Sequence, residues 1–185
     1  MDYDRGMDEP VLEVKPAAPR DRPTVGDDGR PLAAIEGVRH VRPYVHADHR
    51  GSLTELIDSE RPFWDEPVVY AYRFSVRPGR IKGWGMHRLQ ADRYVPIAGH
   101  LRVVLFDGRV GSPSHGRYAQ FYFAEDSPGM LYIPPGVWHA NQNAGDADAV
   151  VVNFPTRPYD RAQPDKHRID PHSGEIPFDW ELRDG

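Results

Sequence analysis

The chain has 185 residues, with 39% hydrophobic and 28% charged side chains and a formal net charge of −5. This length supports one domain with a real apolar core. The acidic balance argues against a nucleic-acid-binding face, no apolar run approaches the roughly 20 residues of a membrane helix, and the lack of cysteine excludes disulfides and thiolate chemistry.

In chain order, the N-terminus reads Met1-Asp2-Tyr3-Asp4-Arg5 with no apolar stretch, so no secretory leader is expected and the cytoplasm is the expected location. Residues 1–36 carry Pro10, Pro16, Pro19, Pro23 and Pro31 among charged and small residues, and read as a disordered or extended arm preceding a folded domain over 37–185. Val38, Val41 and Val45 begin an extended segment, and Ser52 to Ile57 continues it. Pro67 to Val76 is a β-branched and aromatic strand, closed by the turn Arg77-Pro78-Gly79-Arg80. Tyr94 to Ala98 and Leu101 to Phe106 flank Gly99-His100 as a hairpin. Tyr118 to Phe123 alternates, Met130 to Ile133 leads into Pro134-Pro135-Gly136, and Ala149 to Phe154 is a last apolar strand. About eight short strands with regular turn signals predict an all-β sandwich or barrel.

The string Gly129 to Asn143, with Pro134-Pro135-Gly136 followed by His139, resembles the second cupin motif. The expected fold is therefore a cupin jelly-roll barrel, with a tight turn feeding a strand that points His139 inward. Upstream, Gly83-Trp84-Gly85-Met86-His87 precedes Leu89 and Asp92. A metal-binding cupin would have a second histidine where Leu89 stands. His87, Asp92 and His139 can thus be read as a three-ligand metal site, as hydrogen-bonded barrel groups, or as a site in which His87 is a general base. Trp84, Trp138 and Trp180 are expected to serve packing. Tyr70 and Tyr72 share one side of a strand and line either the barrel interior or a subunit interface. Arg102, Arg109 and Arg117 read as surface or strand-end charges, and Asp165-Lys166-His167-Arg168 as a solvated loop.

Taken together, Asp48-His49-Arg50-Gly51 with Glu55, Met86-His87, Asp107-Gly108-Arg109, Ser112-Pro113-Ser114-His115-Gly116, Pro135-Gly136 with His139, Tyr159 and Ile176 to Trp180 resemble the dTDP-4-dehydrorhamnose 3,5-epimerase family over residues 41–180. The resemblance implies a cofactor-free, metal-free, homodimeric cupin that binds a dTDP-4-keto-6-deoxy sugar and epimerises carbons beside the ketone. It places His87 on the general base and His139 on a second histidine of the site. Arg50 and Glu55 fall near the nucleotide, Lys82 stands for an arginine, Arg93 lies near a lysine of the site, and Tyr159 matches the tyrosine of a Thr-x-x-Tyr motif. Asn153 stands where the family has its tyrosine acid; an amide can hydrogen-bond an enolate but does not protonate it. The family's base also pairs with an aspartate beyond the Trp180 landmark, past Gly185. The expected function is epimerisation or isomerisation of a nucleotide-linked 4-keto-6-deoxy sugar, with a small-molecule partner and neither nucleic acid nor membrane. The alternatives are a non-catalytic cupin binding a nucleotide sugar or small anion, and a metal-dependent enzyme using His87, Asp92 and His139.

Overall fold

A computed structural model describes residues 35–182. The strands are β1 (Arg39–Val41), β2 (Val45–Asp48), β3 (Gly51–Thr54), β4 (Tyr72–Val76), β5 (Ile81–Met86), β6 (Asp92–Ala98), β7 (Leu101–Asp107), β8 (Tyr118–Phe123), β9 (Met130–Ile133), β10 (Val137–Asn143), β11 (Ala149–Asn153) and β12 (His167–Arg168). One sheet runs β1-β9-β6-β11-β4 and faces a second, β12-β5-β10-β7-β8; β2 and β3 form a separate hairpin. Every strand pairing among the described residues is antiparallel. No α-helix occurs among the described residues, only a 3-10 turn over Pro62–Trp64. The expected all-β, jelly-roll barrel is what the chain forms.

The strand period of two explains the layers. In β7 every residue is buried. Val103 and Leu105 face the space between the sheets with Leu131, Ile133 and Val151. Val104 and Phe106 face outward, onto a cluster with Trp84, Trp138 and Ile176 that Phe178 and Trp180 cover. A third cluster, Phe63, Trp64, Val95, Met130 and Phe154, covers the outer face of the first sheet. Trp84, Trp138 and Trp180 are therefore packing residues.

Several expectations need revision. The strand expected from Pro67 begins only at Tyr72. β5 was not foreseen, because Gly83 and Gly85 dilute its apolar pattern; a Cβ on Gly83 would lie 2.3 Å from that of Ala140 on β10, so the two strands approach closely only through glycine. Arg102 and Arg109 are not free surface charges. Arg102 is 6% exposed and donates to Gln120 and Gln142, while Arg109 is bound to the fully buried Asp107. The stretch at 165–168 is no solvated loop either, since His167 and Arg168 pair with Met86 and Gly85. Most of the expected arm lies outside the described residues; its last part includes Ile35, which is buried in the central core.

Candidate active site

Polar groups converge between the sheets. β6 supplies Asp92, β11 Asn153 and β4 Tyr72 from one wall; β10 supplies His139, and His87 follows β5 on the other. Alternation puts His139 on the same face of β10 as Val137, opposite Trp138 and Ala140. Gly85 faces His139 in the ladder, and a Cβ there would stand 3.2 Å from His139 Nε2. The turn Pro134-Pro135-Gly136 also holds the base: Gly136, at φ +81°, donates its N–H to the carbonyl of His87 at 2.7 Å.

The two imidazoles stack with ring centroids 5.7 Å apart. His87 Nδ1 donates to the backbone carbonyl of Asp165, and His139 Nδ1 to that of Val137 at 3.3 Å. With these bonds made, both Nε2 atoms carry lone pairs. They meet Asp92 Oδ2 at 3.4 Å and 3.6 Å. Asp92 is 2% exposed. Its Oδ1 accepts from Asn153 Nδ2 at 2.8 Å and Gln90 Nε2 at 3.3 Å, yet Oδ2 has no hydrogen-bond partner. Burial above all, with His87 adding to it and Asp92 opposing, pushes His139 down to about 4, so it is neutral at pH 7. Burial, then the charge of Asp92, holds the Tyr94 hydroxyl well above its usual value.

The carboxylate of Asp165 accepts the backbone N–H groups of Arg88, Leu89 and Gln90. Burial opposes ionisation of this group, but those donors and His87 prevail and lower its pKa. Next to it, Lys166 is lowered by burial first and then by the charges of Arg168 and Lys82, while Asp92 holds it up. Lys166 thus feels both the positive charge of Lys82 and the negative charge of the buried Asp92.

Of the expected site residues, the structure brings together His87, His139 and Asn153 around Asp92, while the Lys82 ammonium stands 5.9 Å from the Phe74 ring. Arg93 is a correction. It neighbours Asp92 on a strand, so it faces the opposite way: its fully buried guanidinium donates to the carbonyls of Glu66, Pro67 and Phe154 under the Trp64 ring. Asn153 is fully buried and bonded to Asp92, Tyr72 and Arg93 N, so it supports other groups rather than facing a ligand. Tyr159 is 43% exposed against Arg161, away from the cluster. Arg50 and Glu55 pair with Asp48 and His46 on or beside the exposed β2–β3 hairpin. Sequence reasoning missed Asp165, whose contact with His87 spans 78 residues and leaves no local signal. It left Tyr72 undecided.

His87, Asp92 and His139 each offer a ligand atom within 4.8 Å of the others, a spacing that would suit a divalent transition metal held by two histidines and a carboxylate. Backbone carbonyls on both Nδ1 atoms and amides on Asp92 Oδ1 would orient such ligands.

The pattern of the dTDP-4-dehydrorhamnose 3,5-epimerase family matches residues 33–184. The chain belongs to this family. Among its relatives, the spore coat polysaccharide biosynthesis protein SpsL of Bacillus subtilis is 33% identical over 146 residues, covering 79% of this chain and 96% of SpsL. The probable low-salt glycan biosynthesis epimerase Agl13 of Haloferax volcanii is 34% identical over 140 residues, covering 74% and 88%. In three dimensions the chain is similar to the dTDP sugar isomerase of Desulfovibrio desulfuricans, with TM-score 0.75, 29% identity and coverage of 82% and 95%. It is also similar to NovW, a 4-keto-6-deoxy sugar epimerase of Streptomyces spheroides, with TM-score 0.72, 26% identity and coverage of 83% and 78%.

Proposed function

We propose that the chain epimerises or isomerises a nucleotide-linked 4-keto-6-deoxy sugar by removing the proton alpha to the ketone. One observation carries the reading: His87 has its Nδ1 tied to a backbone carbonyl and its Nε2 bare beside the unpartnered Asp92 Oδ2. A proton taken by Nε2 arrives next to a buried carboxylate oxygen that lacks a partner. That oxygen is placed to accept a hydrogen bond from the imidazolium that forms. Lys82 and Lys166 supply positive charge for the enolate oxygen that forms as the C–H bond breaks. His139, neutral, fills the wall behind the base and offers hydrogen bonding to the sugar.

Arg50 and Glu55 are suited to the nucleotide but sit at a hairpin exposed along its whole length. Val45, Leu53, Ile57, Val68 and Val69 are also exposed, at 40–59%, and β4 is an open edge strand. The reading is that a second copy covers this face and that each hairpin serves its neighbour's site in a homodimer. A nucleotide-sugar substrate and a chain without cysteine suit the cytoplasm.

The test is solvent exchange: dTDP-4-keto-6-deoxyglucose is incubated with the protein in heavy water and followed by mass and proton spectra. Deuterium should enter beside the ketone, and His87→Asn should slow its entry at least about 100-fold. Binding without exchange would convert the reading to a non-catalytic cupin. The same convergence of lone pairs favours a second reading, a divalent metal on His87, Asp92 and His139. Elemental analysis should find far less than one metal per chain. A stoichiometric metal would remove His87 from the role of base.

A further inference from the structure

Enolisation by His87 supplies only half of an inversion. Once the alpha proton has left, a proton must reach the same carbon from the other face of the sugar. We propose that Tyr72 is the acid that delivers it. The assignment rests on the enolisation reading and extends it to a residue from a different strand.

The first support is placement. Tyr72 opens β4 and stands directly across from Asn153 in the ladder. The phenol therefore enters from the first sheet, whereas His87 enters from the end of β5 in the second. Base and acid approach the space between the sheets from facing walls.

The second support is the polarity of the hydrogen bonds. Asn153 Oδ1 accepts the backbone N–H of Arg93 at 3.0 Å. That fixes the amide so that Nδ2 points to Tyr72 Oη at 2.9 Å and to Asp92 Oδ1 at 2.8 Å. An amide nitrogen only donates. At this contact the phenol oxygen accepts, and its own hydrogen is left for another group. Among the described residues no acceptor takes it. Burial, then the charge of Asp92, raises the hydroxyl to about 12, so it carries its proton at neutral pH. The amide bond to its oxygen stabilises the phenolate left after transfer.

The third support is access. Asn153 and Asp92 are 0% and 2% exposed, while Tyr72 is 37% exposed and the His87 side chain 13%. A network with a sealed middle thus offers its two ends. Tyr94, at 3% exposed, has no comparable access.

The step balances without a co-reactant. His87 Nε2 takes the alpha proton, and the C–H electrons pass into the enolate. The Tyr72 O–H bond then breaks as its proton joins the carbon on the opposite face, and the enolate electrons restore the carbonyl. Water returns a proton to the phenolate and accepts one from the imidazolium.

The experiment compares wild-type protein with Tyr72→Phe on dTDP-4-keto-6-deoxyglucose in heavy water, reading deuterium uptake and epimer formation separately. His87 can return a deuteron to the face it deprotonates. Tyr72→Phe should therefore keep exchange within a few-fold while losing epimer formation at least about 100-fold. Epimer formation within a few-fold of wild type would overturn the assignment and point to another donor, such as Lys166. Loss of exchange together with inversion, in a variant that melts and binds dTDP like wild type, would also overturn it. If Tyr72→Phe does not fold, Asn153→Ala serves instead: it frees the phenol, and inversion should fall further than exchange. Equal falls would count against Tyr72. A wild-type protein that exchanges no proton would sink the enolisation reading itself, a result distinct from each of these.

Discussion

An imidazole acts as a base near neutral pH only if one of its nitrogens is kept bare and correctly turned. Asp165 does both for His87. Its carbonyl takes the Nδ1 proton, and its carboxylate gathers the three N–H groups of residues 88–90. Replacing Asp165 with Ala keeps the carbonyl but releases that turn. We expect kcat to fall about 10- to 100-fold with KM nearly unchanged, since misplacing a reacting group costs rate rather than affinity. Steady-state kinetics test this, and a change confined to KM would count against a positioning role. At this scale the two histidines were legible because a Pro-Gly turn precedes His139 and the string Gly83-Trp84-Gly85-Met86 precedes His87. The resemblance placed Arg93 near the site, but it follows Asp92 on a strand, where neighbouring side chains point to opposite faces, and its guanidinium binds the carbonyls of Glu66, Pro67 and Phe154. Asn153 was read as a ligand-facing group because nothing in a sequence tells that both ends of an amide are already used.

At the scale of elements, β7 and β10 were easy to read, since burial on both faces leaves an unbroken apolar run or a motif. β5 and β12 were not: one is diluted by glycine, and the other is two residues long and pairs with a strand some 80 positions earlier. The β2–β3 hairpin matters most here, because it has residues suited to a ligand but no site of its own around it. If it reaches into a neighbour, light scattering should give twice the 21.0 kDa of one chain. Coexpressing Arg50→Ala with His87→Asn should then restore about a quarter of the wild-type activity, since only mixed dimers hold a complete site, and only one each. A monomer, or no recovery on mixing, would return Arg50 to an ordinary surface charge.

At the scale of the whole molecule, an apolar core and a polar cluster share one inter-sheet space, and the loops that close the barrel are held by ionic and hydroxyl contacts. Asp107 anchors one of them. Burial would raise its pKa, but Arg109, Ser112 and Ser114 outweigh that and hold it at about 2. Because the folded value lies below the unfolded one, the stability it contributes is fully present above about pH 4 and disappears as pH falls towards 2. The size is about 2 kcal/mol. Urea titrations across this range should show that loss in the wild type and a flatter acid limb in Asp107→Asn. An unchanged limb would mean that other carboxylates govern acid unfolding. The overall fold was legible because it depends on alternation and turns; the closure of the site was not, because it depends on contacts between distant parts of the chain.

The bond from His87 to Asp165 has a consequence for how the molecule comes into being. Synthesis is vectorial, and 78 residues separate the ring from its anchor. A nascent chain can complete β5, β6, β7 and β10 and bury most of its core while His87 is still free to turn. The base acquires its orientation only when residues 165–169 return to the edge of β5. A chain broken off before residue 165 would lack the anchor of its base, and with it Ile176, Phe178 and Trp180, which pack on the outer face of the second sheet.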